Sequence, residues 1–428
     1  MTLGWLVGGV LVLLVMRVPV AFALLLPSLV YVVQAEGITL AVVMQRLLSG
    51  LNSFPLLAVP LFIMTGFLAN AAGIADRLFA FLLGVFGRVR GSLGYVNVTS
   101  SVVFSWMSGA AIADAAGLGS VLVPAMRKRG YDEGFALGLT GASAMIGPIM
   151  PPSIPAIIYA VTAGVSVGAL FFAGVVPALV LAGVLFVHVF VHARRRGFAA
   201  ALEPGLDRSA LVRATLRALP VLFTPVIILG GILGGVFTPT EAAAAAVMYV
   251  LLLSAGFRSL SWSGLYRVGL RTASTTGSIL LIVSAATLFG WIIAREQGPQ
   301  MAADAIMGWT TNPVIFLILV NVGLLVIGML LEPVAALLIT VPVLLPVATQ
   351  FGVDPLHFGI VMVLNLVIGL LTPPVGLVLY VLSSVTGAPF PTVARGALPF
   401  LVPLLVTLGL VTFWPGLSLA LPRWLGLG

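Results

Sequence analysis

The chain has 428 residues, of which 61% are hydrophobic and only 7% are charged. Soluble domains carry roughly 25% charged residues, so water is not the main solvent of this protein. The 20 Lys and Arg residues exceed the 12 Asp and Glu residues, but they are scattered along the chain rather than clustered as in nucleic-acid-binding proteins. The chain contains no cysteine, which excludes disulfides, thiolate metal sites and cysteine nucleophiles.

Apolar stretches, separated by short breaks with Arg, Gly or Pro, run from Leu3 almost to Leu421. Because a membrane-spanning helix needs about 20 apolar residues, we expect roughly ten to fourteen spans or part-spans. The segment Met1–Met16 lacks the basic start and the clear cleavage site of a signal peptide, which favours a retained first helix. The sequence predicts an all-α integral membrane protein without a soluble catalytic domain, and no enzymatic activity is expected.

The sequence repeats itself at an offset of 222 residues. Within 54 positions, eight Gly, Pro or Asp residues recur at this offset: Pro124 and Pro346, Gly130 and Gly352, Asp132 and Asp354, Gly147 and Gly369, Pro151 and Pro373, Pro152 and Pro374, Gly174 and Gly396, and Pro177 and Pro399. Gly and Pro are common here, with 48 and 28 copies, so some matches must arise by chance. The single offset nevertheless favours a duplication, with units at 1–190 and 218–420 joined by a connector at 191–217.

Basic residues indicate how the two units face the membrane, because cytoplasmic loops are enriched in Lys and Arg. In the first unit, cations flank one apolar segment on both sides: Arg88, Arg90, Arg127, Lys128 and Arg129. The corresponding places in the second unit, 312–314 and 349–351, carry no cation. The second unit is therefore predicted to be inverted, and the connector, which is rich in Arg, is predicted to be cytoplasmic.

Two segments are predicted to form re-entrant hairpins, at 91–127 and 313–350. The first is too short for two full spans of about 20 residues and a turn, although its basic flanks place both ends on one side. The tips are expected near 106–114 and 328–336, which would place Asp114 and Glu332 at membrane depth. These acids either bind a solute or ion, or only hold the tips in shape.

A broken helix is predicted to follow each hairpin, at 133–163 and 355–386. The runs from Gly147 to Pro155 and from Gly369 to Gly376 contain prolines that interrupt helical hydrogen bonding. Non-helical backbone persists inside a membrane only where protein buries it or a cavity adjoins it, and its carbonyl oxygens suit a small cation. A simple proline kink is the alternative, but two such breaks at equivalent positions favour ion sites.

The remaining segments complete a symmetrical plan. Scaffold helices are predicted at 1–72 and 218–294, surface arms at 73–89 and 295–311, and a last helix at 397–420. Asp132, Asp354 and Glu241 stand at the starts of helices, and we expect them to act as caps there.

Several segments resemble the signature segments of the large membrane subunit of tripartite ATP-independent periplasmic (TRAP) transporters. They are Ser108-Gly109 with Asp114, Pro124–Tyr131, Gly147–Ser153 with Tyr159, Phe237–Ala243, Glu332–Pro346, Gly352–Gly359 and Ile368–Gly376. The resemblance extends over the whole chain. It implies an inverted-repeat elevator transporter fold, in which a mobile domain of two re-entrant hairpins and two broken transmembrane helices slides against a scaffold.

The resemblance also implies a function. Members of this family act as sodium symporters in the bacterial inner membrane, with a smaller membrane subunit and a periplasmic binding protein that delivers an organic acid anion. A C4-dicarboxylate, sialic acid or a similar carboxylate is the expected solute, and sodium is the coupling ion, with no other cofactor. A self-sufficient sodium/carboxylate symporter of the same superfamily is the alternative.

Site residues follow from the resemblance, position by position. The first sodium site would comprise Ser108, Gly109, Gly147, Pro151 and Pro152. The second would comprise Gly328, Glu332, Gly369, Thr372 and Pro373. The solute would contact Ser108, Asp114, Ser153, Thr372 and Pro374 between the two tips.

Overall fold

The structure is a computed structural model that describes residues 3–35, 37–198 and 208–427. Every regular element in these ranges is a helix. The first repeat contains α1 (Leu3–Val15), α2 (Val20–Gln34), α3 (Leu40–Ser49), a 3-10 turn (Phe54–Leu57), α4 (Ala58–Ala71), α5 (Ile74–Phe86), α6 (Ser92–Ser108), α7 (Ala111–Lys128), α8 (Glu133–Ala144), α9 (Ile154–Ala163) and α10 (Val167–Arg196).

The second repeat follows the connector, of which residues 199–207 lie outside the described ranges. It contains α11 (Arg208–Leu222), a π turn (Val226–Gly230), α12 (Gly231–Leu233), α13 (Pro239–Gly256), α14 (Trp262–Arg295), α15 (Gly298–Met307), α16 (Pro313–Leu330), α17 (Pro333–Gln350), α18 (Pro355–Gly369), α19 (Leu377–Thr386), α20 (Phe390–Phe413) and α21 (Gly416–Trp424).

Eight helical segments in the described ranges are long and apolar enough to cross a membrane, and six shorter apolar helices accompany them. The helices α6 and α7 are not among these fourteen, because α6 is rich in Ser and α7 contains three charged residues. Of their residues, 13 of 17 in α6 and 9 of 18 in α7 are buried inside the protein. Other helices therefore enclose most of α6 and one face of α7.

The predicted helix caps are confirmed. Asp132 accepts a hydrogen bond from the Phe135 amide at 2.9 Å, and Asp354 accepts one from the Leu356 amide at 2.8 Å. Glu241 forms a reciprocal capping box with Thr238 at the start of α13. Each carboxylate satisfies amides that have no partner within their own helix.

Two helix pairs occupy the segments predicted as hairpins. Residues Gly109 and Ala110 join α6 to α7, and Leu331 and Glu332 join α16 to α17. The arms contain 17 or 18 residues, which is roughly 26–27 Å at about 1.5 Å per residue. Nearly full-length arms fit into each segment because the turns are so short. Helix length therefore does not determine how deep the tips lie in the membrane, and their depth stays a prediction.

The chain leaves helical geometry at both proline-rich places. The first break separates α8 from α9, and the second separates α18 from α19. Pro151-Pro152 and Pro373-Pro374 lie inside these breaks. Proline lacks the amide proton that an α-helix needs, and its ring disfavours helical geometry in the residue before it, so neither helix continues through its break.

The two repeats exchange packing partners. Hairpin helix α7 of the first repeat packs against half-helix α19 of the second, and α17 of the second packs against α9 of the first. Such reciprocal contacts are expected of two similar units related by an approximate two-fold axis. The inverted orientation of the units across the bilayer stays a prediction.

The C-terminal end differs from the prediction of one helix at 397–420. Instead, α20 begins at Phe390 and ends at Phe413, and α21 begins at Gly416. Pro415 explains the interruption, because it removes a helical donor and restricts Trp414 before it. The predicted arms at 73–89 and 295–311 contain the shorter helices α5 and α15.

Candidate functional site

A cavity of about 330 Å³ lies between the tips of the two hairpins. Ser108 and Ala111 of the first tip border it, as do Glu332 and Val334 of the second. Pro148 and Leu370 contribute from the two breaks, and α4 and α14 close the remaining sides. Its volume is within the range of small-molecule sites, which is about 300–1,000 Å³.

The first hairpin tip holds a buried carboxylate. The Ser108 hydroxyl donates a hydrogen bond to Oδ1 of Asp114, and the two residues are 2% and 0% exposed. Oδ2 of Asp114 is buried without a hydrogen-bond partner, and no ion pair with it occurs in the described ranges. A buried charge is costly unless it is paired, so this oxygen is suited to a cation or a proton.

The first tip is docked onto the first break. The Ile154 amide donates a hydrogen bond to the Gly109 carbonyl oxygen at 3.4 Å. Gly109 has a φ of 59°, and a Cβ there would overlap the carbonyl oxygen of Pro152. A Cβ at Gly147 would overlap Oδ2 of Asp114. The structure thus brings together four residues predicted for the first sodium site, Ser108, Gly109, Gly147 and Pro152, and Pro151 is buried in the same break.

Substituting Gly109 with alanine is expected to disturb transport far more than substituting Gly164. Both residues have positive φ, 59° and 70°, so alanine strains the backbone at both by roughly 1 kcal/mol. Only at Gly109 would the new methyl group also meet backbone, because nothing lies within 4 Å of it at Gly164. Uptake by vesicles containing each variant measures the difference. Equal losses in the two variants would show that the docking of the tip is unimportant.

The closest backbone contact of the second hairpin lies one helical turn before the residues of its tip. A Cβ at Gly369 would overlap the backbone of Gly328, so α16 and α18 touch through bare backbone. Oε2 of Glu332 accepts hydrogen bonds from the Val334 amide at 3.1 Å and the Ala335 amide at 3.3 Å, which caps α17. Glu332 also lines the cavity, so it both shapes the tip and faces the space between the tips.

The second break is more open than the first. Pro151 and Pro152 are buried, whereas Thr372 and Pro373 are half-buried and Pro374 is exposed. The Thr372 hydroxyl donates to the Ile368 carbonyl oxygen at 2.9 Å. The residues predicted for the second sodium site thus lie in three places: Gly328 and Gly369 in the helix contact, Glu332 at the tip, and Thr372 and Pro373 in the break.

The five residues predicted to contact solute are divided by the structure. Ser108 borders the cavity, but Asp114 lies behind the tip, directed at the break. Ser153 caps α9, since its hydroxyl accepts from the Ala156 amide at 3.1 Å and donates to the Pro148 carbonyl oxygen. Thr372 and Pro374 do not border the cavity.

The N-terminal end of α7 faces the cavity without a side-chain cap. Its N-cap residue, Ala110, accepts no hydrogen bond through a side chain, and Ala111, Ile112 and Ala113 of the first turn border the cavity. Uncapped amides and the helix dipole give such an end a partial positive charge. This end of the hairpin is therefore suited to an anionic group when a cation or a proton neutralises Asp114 in the same turn.

Sequence reasoning missed two kinds of residue here. Thr275 of α14 borders the cavity, and its only signal was the polar run 272–276 within an apolar helix. Buried polar pairs also tie each hairpin to its broken helix. Ser143 donates to Asn97 at 2.8 Å, and Asn365 donates to Asn321 at 2.7 Å. Ser143 and Asn365 are 222 positions apart, so the repeat offset was the signal that pointed to them.

The fold and the cavity between paired hairpin tips define a class, the multi-pass helical membrane transporters. A solved structure with this fold is the YdaH transporter of Alcanivorax borkumensis, which aligns with a TM-score of 0.64 at 16% identity, covering 95% of this chain and 98% of that one. The likeness shows the fold alone, since the identity is low.

The chain belongs to the TRAP transporter large permease family. The family profile described as "Tripartite ATP-independent periplasmic transporter, DctM component" matches residues 7–417. The sialic acid TRAP transporter large permease protein SiaM of Vibrio cholerae is 44% identical, with 98% of each chain covered. The C4-dicarboxylate large permease protein DctM of Pseudomonas aeruginosa is 40% identical, with 87% of each covered. The 2,3-diketo-L-gulonate large permease protein YiaN of Escherichia coli is 34% identical, with 99% of this chain and 98% of that protein covered. The protein is a multi-pass inner-membrane permease.

Proposed function

We propose that this protein is the permease subunit of a sodium-coupled uptake system for an organic acid anion. A small membrane subunit and a periplasmic binding protein complete the system, as the family's tripartite character implies. The names of the similar permeases support a carboxylate solute, since sialic acid, a C4-dicarboxylate and 2,3-diketo-L-gulonate all carry this group. The observation that carries the ion coupling is the unpaired buried carboxylate oxygen of Asp114.

Asp114 belongs to the first sodium site in this proposal, rather than to the solute site. Its Oδ2 lies against Gly147 in the first break. Neither Asp114 nor Gly147 borders the cavity. Carboxylate, hydroxyl and carbonyl oxygens are hard ligands of the kind that sodium prefers. An ion here would neutralise Asp114 and tie the tip to the break.

The solute carboxylate is placed at the uncapped end of α7, beside Ser108 and Thr275. Glu332 borders the same cavity and would repel a carboxylate through their like charges. Anion binding is therefore favoured when a cation or a proton neutralises Glu332, which gives a physical reason for coupling. The cavity also lies between the hairpins and the scaffold helices α4 and α14. An elevator motion of the hairpins along this scaffold would carry the bound solute across the membrane.

The driving forces are sufficient for accumulation. One sodium ion entering down about 100 mV gains roughly 2.3 kcal/mol. Each tenfold sodium gradient adds about 1.4 kcal/mol. Two sodium ions and one monoanion together carry one net positive charge, which the membrane potential would drive inward.

The test is uptake by vesicles that contain both membrane subunits, with the binding protein outside. We expect uptake to require an inward sodium gradient and the binding protein. Ser108→Ala is expected to raise the sodium concentration for half-maximal uptake by about tenfold, since a hydrogen bond to a charged group contributes about 1.5–3 kcal/mol. The matched control is Ser120→Ala, an exposed serine of α7 that bonds only within its helix. Uptake without the binding protein would favour the self-sufficient symporter, and unchanged sodium activation would remove Ser108 from the ion site.

A further inference from the structure

A second cavity of about 540 Å³ adjoins the first one. Phe67, Ile112 and Ala113 border both spaces, so a solute leaving the central cavity along α7 passes directly into the second. We call this second space the side cavity. It lies between the start of α14, the end of α4, the first turns of α7 and the loop 257–261.

Two exposed arginines from successive turns of α14, Arg267 and Arg271, border the side cavity. Neither forms an ion pair with an acidic residue in the described ranges. The Nε of Arg267 donates to the Ser263 carbonyl oxygen at 3.3 Å, which leaves its terminal nitrogens available. Because both side chains come from one helix face, two positive charges face one space.

Polar groups accompany these charges. Asn70 borders the side cavity at the end of α4, and its amide has no hydrogen-bond partner in the part of the chain that the structure describes. It lies directly beside Gly117 of α7, where a Cβ would come within 2.5 Å of its Oδ1. Ser259 and Ser261 border the same space. The combination of two guanidinium groups, an amide and hydroxyls is suited to a carboxylate.

The distribution of basic residues indicates that the side cavity lies on the cytoplasmic side. The Arg77 guanidinium lies 3.8 Å from the centre of the Phe257 ring, so the loop 257–261 packs against α5. That helix leads to Arg88 and Arg90, which the positive-inside rule assigns to the cytoplasm. The central cavity therefore opens towards the cytoplasm through an arginine-lined space.

We propose that the side cavity is a second anion site, which holds the carboxylate of the solute between the central cavity and the cytoplasm. This inference rests on the proposed function for the identity of its occupant. Arg267 and Arg271 attract the anion out of a central cavity where Glu332 opposes it, so release is directed inward. An anionic lipid headgroup has the same chemistry and is the competing source of the anion.

The absence of cysteine makes the site directly testable. Ala116 of α7 borders the side cavity, so Ala116→Cys places one thiol there. Anionic and cationic methanethiosulfonates are applied to each face of vesicles made of zwitterionic lipid. The ratio of anionic to cationic labelling is expected to fall by about tenfold in the Arg267→Gln/Arg271→Gln background, which is the lower end of the concentrating effect of charged clefts.

The matched control is Arg258→Gln, which removes an exposed charge from the neighbouring loop without touching the side cavity. It is expected to leave the ratio unchanged. Sialic acid or succinate, whichever the vesicles accumulate, is expected to slow anionic labelling from the cytoplasmic face. A ratio that falls less than twofold, labelling from the periplasmic face alone, or a fall seen only with anionic lipid would each overturn the proposal.

Experiments on the same vesicles distinguish a failure of this inference from a failure of the proposed function. Sodium-driven uptake without a change in the labelling ratio would refute the side cavity alone. A changed ratio in vesicles that accumulate no organic acid would refute the proposed function, and with it the solute as the occupant.

Discussion

Replacing Asp114 with asparagine is expected to weaken the sodium activation of uptake by about tenfold to a hundredfold. A contact with a charged group contributes about 1.5–3 kcal/mol, and about 1.4 kcal/mol corresponds to tenfold in affinity. The amide keeps the shape of the carboxylate and the partner for Ser108, but it removes the charge. Initial uptake rates across a range of sodium concentrations measure the effect.

Stability measurements distinguish an ion ligand from a structural residue. Sodium that binds the folded protein stabilises it, so it should raise the melting temperature of the unaltered protein. Asp114→Asn should lose the part of this response that comes from the first site, and it should be at least as stable without sodium because a buried unpaired charge has gone. Asp304→Asn, at an exposed position of α15, is the control with the same chemical change. A full sodium response in Asp114→Asn would exclude the carboxylate from the ion site.

Replacing Gly369 with alanine is expected to displace the second hairpin and abolish most uptake. The added methyl group would overlap the backbone of Gly328, which cannot rotate away as a side chain can. Overpacking of this kind typically costs about 1–3 kcal/mol, and here the strain falls on the contact that positions the tip. Thermal unfolding and uptake of the purified complex measure the two consequences separately.

The control for this substitution is Gly323→Ala in α16, the hairpin arm that Gly369 contacts. No atom lies within 4 Å of a Cβ at Gly323, so alanine fits there without a clash. It should be neutral or slightly stabilising, because glycine inside a helix costs roughly 0.5–1 kcal/mol relative to alanine. Wild-type uptake by Gly369→Ala would show that the hairpin accommodates the methyl group and that the close contact does not set the tip's position.

The sequence was most informative where one residue type determines the backbone. The two helix breaks follow from prolines, and the caps at Asp132 and Asp354 follow from carboxylates before helices. Both effects act within a few residues of the chain, so neighbouring letters suffice to predict them. The repeat extended these local predictions to equivalent positions 222 residues away.

The residues that border the cavity could not be predicted in this way, because they lie on helices that are distant in sequence. Thr275 and Gly66 reach the same space from different repeats, and no pattern around either residue indicates that meeting. The repeat itself also misleads in places. Its offset relates the separate helices α3 and α4 to the single long helix α14, because Gly50 to Ser53 interrupt the chain only in the first unit.

The exchange of packing partners between α7 and α19, and between α17 and α9, bears on how such a chain arose. Each hairpin also packs against the broken helix of its own repeat, so only the exchanged contacts would have needed a second copy before the duplication. In an ancestor with a single unit, these exchanged contacts would form only in a homodimer. Fusion into one polypeptide raised the effective concentration of each half for the other and freed the two hairpins to diverge. At the repeat offset of 222 residues Glu332 corresponds to Ala110, whereas the acid of the first hairpin is Asp114, so the two tips differ in where they carry their carboxylate.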